Sequence, residues 1–205
     1  MVLMDYMRAK AILDKYAIHS VPSKYVSSSE DAAAFAGKDN IALKLLSEKE
    51  LHKSKAGLVK LNLSGEKQIR AAYAELKRKG KSIRQYKIIA QKMAEPGVEA
   101  IIGGNTDPQF GKVLLLGLGG IYVEAFKDTQ LRLCPITKSD ALAMIGGLRS
   151  KDILTSNGKS TDMLVSLLMK VSKLLMSNPG IKELDLNPVI LRSGSYDAVD
   201  LRVLV

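Results

Sequence analysis

Three groups of residues in this chain have types and spacings that could handle a phosphoryl group. The first is centred on His52, one of only two histidines, in the run KLLSEKELHKSKAGLVKLNL. Imidazole titrates near neutrality, so it serves as base, nucleophile or phosphoryl carrier. His52 follows Lys44 by eight residues and shares a polar stretch with Lys49, Lys53, Lys55 and Gly57. The second group is Asp185, Asn187 and Asp200. Asp185 and Asn187 alternate with Leu184 and Leu186, which puts both polar groups on one face of a strand, and Asp200 interrupts an apolar partner strand. Carboxylate and amide oxygens are hard donors of the kind that hold magnesium together with phosphates. The third is DPQFGKVLLLGLGGIYVEAFKD, where Gly117, Gly119 and Gly120 permit close backbone approach to an anion. Its spacing is neither that of a Walker loop nor that of a dinucleotide fingerprint. Glu99 and Glu124 add carboxylates on flanking elements. Each group also has a plain reading. A lysine-flanked histidine is commonly a solvated loop residue, Asn187-Pro188 is an Asx-turn sequence, and the two glutamates suit surface charge or an internal salt bridge.

The elements that must position these residues can be read from periodicity and punctuation. The opening stretch has helical spacing, with Leu3, Met7, Ala11 and Leu13 on or near one face. A turn at His19–Pro22 leads to a short strand at Lys24–Val26, and Ser28 or Ser29 caps a helix through SEDAAAFA. Ile41–Leu46 and Leu58–Leu63 read as paired strands that bracket the His52 loop. A charged helix starts at Ser64-Gly65 and ends at Gly80. QYKIIAQKMA and GVEAIIGGN read as a hairpin around Glu95-Pro96-Gly97. The run Val113–Leu118 reads as a buried strand, LRLCPI as another, and Thr137 with Asp140 as a capping box. DMLVSLLMKVSKLLM is apolar at helical spacing, which predicts that its methionines are core. Two strands, IKELDLNPVILR and AVDLRVLV, close the chain through Ser193-Gly194-Ser195.

Composition narrows the classes. At 205 residues and 46% hydrophobic, the chain can bury a real core and is neither disordered nor fibrous. No run approaches the ~20 apolar residues of a membrane span, and the N-terminal stretch carries charges without a signal-peptide cleavage pattern. The single cysteine, Cys134, forms no intrachain disulfide and fits a reducing, cytoplasmic location; its apolar strand context beside Pro135 is not that of a nucleophile. The net charge of +10 lies entirely within residues 38–92, which hold 15 Lys/Arg against 5 Asp/Glu. Such a field attracts nucleotides, coenzyme A, nucleic acid or an acidic partner. No Trp, three Phe and no nucleic-acid motif argue against nucleic acid.

Taken together, SEKELHKSKAGLVKLNL, TDPQFGKVLLLGLGGIYVEAFKDTQLRLCPITKSDAL and IKELDLNPVI…AVDLRVLV resemble the β subunit of ADP-forming acetyl-CoA synthetase, also called acetate–CoA ligase, an ATP-grasp protein. The resemblance is collinear from about residue 5 to the last residue. It implies an α+β, two-lobed ATP-grasp fold over residues 1–205, with nucleotide held between the lobes. The small lobe would be 20–85, carrying the phosphohistidine loop, and the large lobe 1–19 with 86–205, carrying the magnesium and nucleotide hairpin. It further implies that His52 takes a phosphoryl group from a companion α subunit and delivers it to ADP. Lys44, Lys53, Glu99 and Asp185 would contact nucleotide, and Asn187 and Asp200 would be the magnesium ligands. Gly117, Gly119, Gly120 and Arg132 are candidates for phosphate or interface contact. The implied cofactors are Mg2+ and ADP/ATP. The implied partner is a coenzyme A–binding α subunit in an α2β2 complex, with no nucleic acid and no membrane.

The chain departs from the family pattern at Ser47-Glu48, where Ser-Pro is usual. It departs again at Lys55-Ala56-Gly57-Leu58, where Asp and then Ala-Gly-Gly-Val is usual. The N-terminal extension is also shorter. A succinyl-CoA synthetase–like β subunit is the rival enzyme, and the retained His52 argues against it. A non-catalytic, nucleotide-binding regulatory domain is the rival of another class, opposed by the intact set Lys44, His52, Asn187 and Asp200.

Overall fold

The structure, a computed structural model, describes residues 1–47, 57–83, 85–120, 128–155 and 159–205. The chain divides into two compact units, Val21–Ala94 and Met1–Ser20 with Glu95–Val205. The smaller therefore extends past the expected limit at residue 85.

The Val21–Ala94 unit is a four-stranded antiparallel sheet with two helices on one face. Its elements are β1 (Ser23–Tyr25), α2 (Ser29–Ala36), β2 (Ile41–Leu46), β3 (Val59–Leu63), α3 (Gly65–Gly80) and β4 (Lys87–Lys92), with strand order β1-β4-β2-β3. The helix ends follow from local chemistry. The Ser28 side chain accepts from the Asp31 N–H at the start of α2, the expected N-cap. Basic Lys77, Arg78 and Lys79 occupy the last turn of α3, where the carbonyl-rich end favours cations. Ile41, Leu43 and Leu45 alternate along β2 and bury against Ile69, Leu76 and Ile88; each such side chain contributes about 1.5–3 kcal/mol. Leu58, which replaces the usual glycine, joins this same core and is 3% exposed. Its carbonyl accepts from the Leu45 N–H at 2.8 Å.

The hairpin expected across residues 85–105 does not form. β4 pairs with β1 and β2, while β5 (Val98–Asp107) joins a different sheet. Local alternation identifies both strands but cannot say which neighbours they find.

The larger unit begins with α1 (Tyr6–Lys15), capped by the Asp5 carboxylate, which accepts from the Met7 and Arg8 N–H groups. This helix buries Tyr6, Ala9 and Leu13 rather than the expected Met7 and Ala11 face. Leu3 lies outside the helix and bridges to Leu204, so counting helical phase from it misplaced the apolar stripe. The remaining elements are β5, β6 (Gly111–Leu118), β7 (Thr129–Leu133), α4 (Lys138–Gly146), α5 (Lys151–Leu154), α6 (Lys159–Ser177), β8 (Glu183–Arg192), β9 (Ser195–Ala198) and β10 (Leu201–Leu204). The sheet order is β10-β8-β5-β6-β7, with β9 also on β8. Thr137 and Asp140 form the expected capping box at α4. The closing partner strand is two strands, β9 and β10, separated at Val199-Asp200.

Strand alternation sorts this sheet's faces. One row, Val203–Leu184–Gly104–Leu114–Arg132, follows from the register. Leu175 of α6 lies where a Cβ at Gly104 would sit, so this is the helix-covered face. The adjacent row, Arg202–Asp185–Gly103–Leu115–Leu131, is on the opposite face. Among the described residues no helix is long and apolar enough to cross a membrane.

Leu43 is fully buried at the centre of the smaller unit's core. Leu43→Ala should destabilise the protein by about 2–5 kcal/mol, read as a lower midpoint in urea unfolding followed by circular dichroism. An unchanged midpoint would contradict this core.

Candidate active site

The acidic hairpin is assembled by β8. Its burial alternates, with Leu184 and Leu186 buried and Asp185 and Asn187 on the other face. Leu186 pairs with Leu201 and Val189 with Ala198, so the intervening register sets Asn187 opposite Asp200. The Asn187 N–H donates to the Asp200 carbonyl at 3.3 Å, and the Val199 N–H donates to the Pro188 carbonyl at 3.0 Å. Proline has no N–H to return the bond, and the partner strand breaks here. The pairing of β8 with β5 also shifts between Ala100 and Ile102. The result is a local break in the ladder at which Asn187 and Asp200 stand opposite each other, with the Asp200 carboxylate accepting from the Leu201 N–H at 3.1 Å.

Around it lie two residues that sequence reading missed, Arg202 and Glu183. Arg202 pairs in register with Asp185, and its Nη2 lies 3.1 Å from the Glu183 carboxylate. Its Nε is buried and has no hydrogen-bond partner among the described residues. An Arg two positions after Asp200 on an alternating strand must share its face, and that signal was available once the strand was identified. Burial pushes the Asp185 carboxyl above its ordinary range; Arg202 opposes the shift, and the Glu183 and Asp200 charges add to it.

A magnesium ion fits this donor set. Among the described residues no three His, Cys, Asp or Glu side chains gather as a metal-binding group. Magnesium, however, keeps several waters and takes one or two carboxylates plus phosphates, so Asn187 and Asp200 suffice as protein donors. A cation there would also offset the repulsion among Asp185, Glu183 and Asp200.

Glu99 stands on β5 opposite Ile190, exposed. The glycine segment is built around it. The Gly119 N–H donates to the Glu99 carbonyl at 2.6 Å. A Cβ at Gly119 would lie 2.8 Å from Glu99 backbone, and one at Gly120, where φ is +74°, would lie 3.1 Å from its carboxylate. Gly117 instead accommodates Thr129 and the Asp128 carbonyl. Arg132 lies in the helix-covered row with Leu114 and donates to the Leu131 carbonyl at 2.9 Å. The structure thus brings Asp185, Asn187, Asp200 and Arg202 together and leaves Arg132 on the other face.

In the smaller unit, Lys44 lies on β2 opposite Ile89 and Val59, on the face away from Ile41, Leu43 and Leu45. It is 4% exposed, unusual for lysine. The excess positive charge is not all near it. Lys60 and Lys79 share Glu75 at 2.7 and 3.4 Å, and Arg70 pairs with Glu66 and Glu30 at 2.6 and 3.1 Å. Lys67, Lys77, Arg78 and Lys81 are exposed along and just after α3, which covers the opposite face of the sheet. His52, Lys53 and Glu124 lie outside the described residues.

The ATP-grasp domain family matches residues 2–205, and the chain belongs to it. The particular likeness is to ADP-forming acetate–CoA ligases. The chain is 35% identical to acetate–CoA ligase [ADP-forming] I subunit beta of Pyrococcus furiosus, over 96% of this chain and 89% of that one. Among solved structures it is similar to the dinucleotide-forming acetyl-coenzyme A synthetase 1 of Ca. Korarchaeum cryptofilum with coenzyme A, Ca-AMPCP and HgCl+. That likeness has a TM-score of 0.90 and 32% identity over 100% of this chain and 93% of that one. Another structure of that synthetase, with coenzyme A and Mg-AMPPCP, has its phosphohistidine segment pointing towards the nucleotide-binding site. It matches at a TM-score of 0.84 and 32% identity over 99% and 92% of the two chains.

The Asp185 environment makes a pH-dependent prediction. A carboxyl whose folded pKa is raised costs stability once it ionises, so the cost is absent well below about pH 4 and is complete above the raised value. Without metal or nucleotide, Asp185→Asn should therefore melt at a higher temperature than the parent at neutral pH. The two melting curves should converge as pH falls. A variant less stable than the parent at neutral pH would contradict the burial assigned to this carboxyl.

Proposed function

We propose that this chain is the nucleotide-binding β subunit of an ADP-forming acyl-CoA synthetase, acting with a coenzyme A–binding α subunit. The net reaction is acyl-CoA + ADP + phosphate to free acid + ATP + CoA, reversibly. The observation that carries the proposal is the pairing of Asn187 with Asp200 across β8 and the β9–β10 break, in a chain 35% identical to an acetate–CoA ligase β subunit.

In this reading the neutral His52 imidazole accepts a phosphoryl group from the companion subunit and passes it to the terminal phosphate oxygen of ADP. The P–N bond breaks as the new P–O bond forms, and the imidazole returns to its starting state. The phosphohistidine segment of the Ca. Korarchaeum cryptofilum synthetase supports that role. Lys44 supplies a fixed cation to the phosphates, and its burial strengthens the interaction. Asn187 and Asp200 would hold magnesium, which when bound neutralises charge on the transferring phosphate. Asp185 and Glu99 orient the nucleotide, with Lys53 as a further phosphate contact. Phosphoryl transfer needs mainly positioning and charge neutralisation, and these residues provide both.

The test is reconstitution with the α subunit from the same source. The parent should make ATP from ADP and phosphate only when acyl-CoA is supplied; absence of acyl-CoA–dependent ATP synthesis would overturn the assignment. His52→Ala should abolish net turnover and the acid-labile phosphoprotein label, with ADP binding by the isolated chain retained. Near-normal turnover by that variant would remove the relay role. Asp200→Asn should weaken magnesium-dependent ADP binding far more than binding measured without magnesium.

A further inference from the structure

The long helix α6 contradicts the expectation that its methionines are core. It buries Leu164, Leu167, Leu168, Val171, Leu174 and Leu175 against its own unit, while Met169 and Met176 are 41% and 45% exposed. The two lie seven residues apart, two turns along the same side of the helix. With Pro135, Ile136 and Val165 they line a surface groove of about 780 Å3. Its rim carries Lys138, Lys170 and Lys173 against one acid, Asp162. No residue assigned to phosphoryl transfer lines it.

We infer that this groove is the docking surface for an acidic, amphipathic helix of the companion subunit, an inference that rests on the proposed function. Three observations select that occupant. The lining spans Asp162 to Ser177, about 22 Å of helix at 1.5 Å per residue; that length suits a helix of about four turns rather than a compact small molecule. Unbranched, polarisable methionines on an exposed face form an adaptable apolar seat for helix anchors. The rim is net positive, with Lys138 and Lys173 exposed and the Lys170 ammonium held 2.9 Å from the Ala17 carbonyl. Acidic residues flanking the apolar anchors complement that rim. The same charge disfavours a second copy of this chain, because a two-fold contact through this patch would bring its lysines together with those of its twin.

The test compares parent, Met169→Glu/Met176→Glu and Lys138→Glu/Lys173→Glu chains. Assembly with the α subunit is followed by calorimetry, and self-association by sedimentation. The methionine pair should weaken assembly about tenfold or more, the scale of losing anchors at an interface centre. ADP binding by the isolated chain should stay at the parental value, and excess α subunit should restore turnover. The lysine pair should weaken assembly more at low salt than at high salt. Parental affinity in both variants would overturn the docking surface while leaving the proposed function standing. Failure of the parent itself to bind the α subunit would overturn both. Self-association of the chain alone that the methionine pair abolishes would assign the groove to a second copy and overturn the inference.

Discussion

The larger unit depends on one strand doing two jobs. β8 runs ten residues and holds β5 on one side and both β9 and β10 on the other. Leu184, Leu186, Val189 and Leu191 must stay buried for the sheet to seat its helices. On the alternate positions, the proposed roles of Asp185 and Asn187 require that an ion or phosphate can reach them. A perfectly regular strand would pair both neighbours throughout and leave no break opposite Asn187 and Pro188. Pro188 removes one donor, the β5 register slips, and the partner strand breaks opposite. The interruption covers two residues, so hydrophobic burial on either side holds it in place. Stability in the flanking leucines thus fixes the spacing of groups that would otherwise repel each other.

That repulsion is visible in Asp185. A carboxyl pushed upward by burial and by neighbouring acids is poorly suited to a metal-free, ligand-free protein, yet well suited to a site completed by a cation. Arg202 provides partial compensation from within the chain. It leans towards Glu183, and its buried Nε has no hydrogen-bond partner among the described residues, so the compensation there is incomplete. The charges around Asp185 are not fully offset within the chain, an imbalance that the magnesium proposed for Asn187 and Asp200 would reduce.

Features governed by local chemistry were legible in the residues alone. The Ser28 cap, the Thr137/Asp140 capping box, the span of α3 and the Ile41–Leu46 strand all follow from short-range patterns. So does the Asp185/Asn187/Asp200 constellation, because its members lie on one hairpin. What was not legible required knowledge of partners distant in sequence. Adjacent β4 and β5 alternate alike, and nothing within either shows that they join different sheets. Arg132 is a candidate site residue until register assigns it to the helix-covered face. The face of Arg202 follows from its spacing to Asp200, but its pairing with Asp185 exists only across the sheet. The misread phase of α1 and of the methionines has a further cause. Hydrophobic periodicity shows that a helix is apolar on some face but not how wide the covered face is.

The smaller unit carries the complementary constraint, on the ends of the segment that contains His52. Before it, Leu45 is buried in the core and Ser47 is 7% exposed. After it, Leu58 is buried, and the Gly57 carbonyl accepts from the Lys79 ammonium at 3.1 Å. Gly57 has φ of +63°, a backbone conformation that favours glycine. Leu58 in place of a glycine therefore does not loosen this junction. It exchanges backbone freedom for a buried side chain and anchors the exit of the segment more firmly in the core. For the relay proposed for His52, both flanks of its segment are fixed points, and they come from ordinary core packing and one lysine.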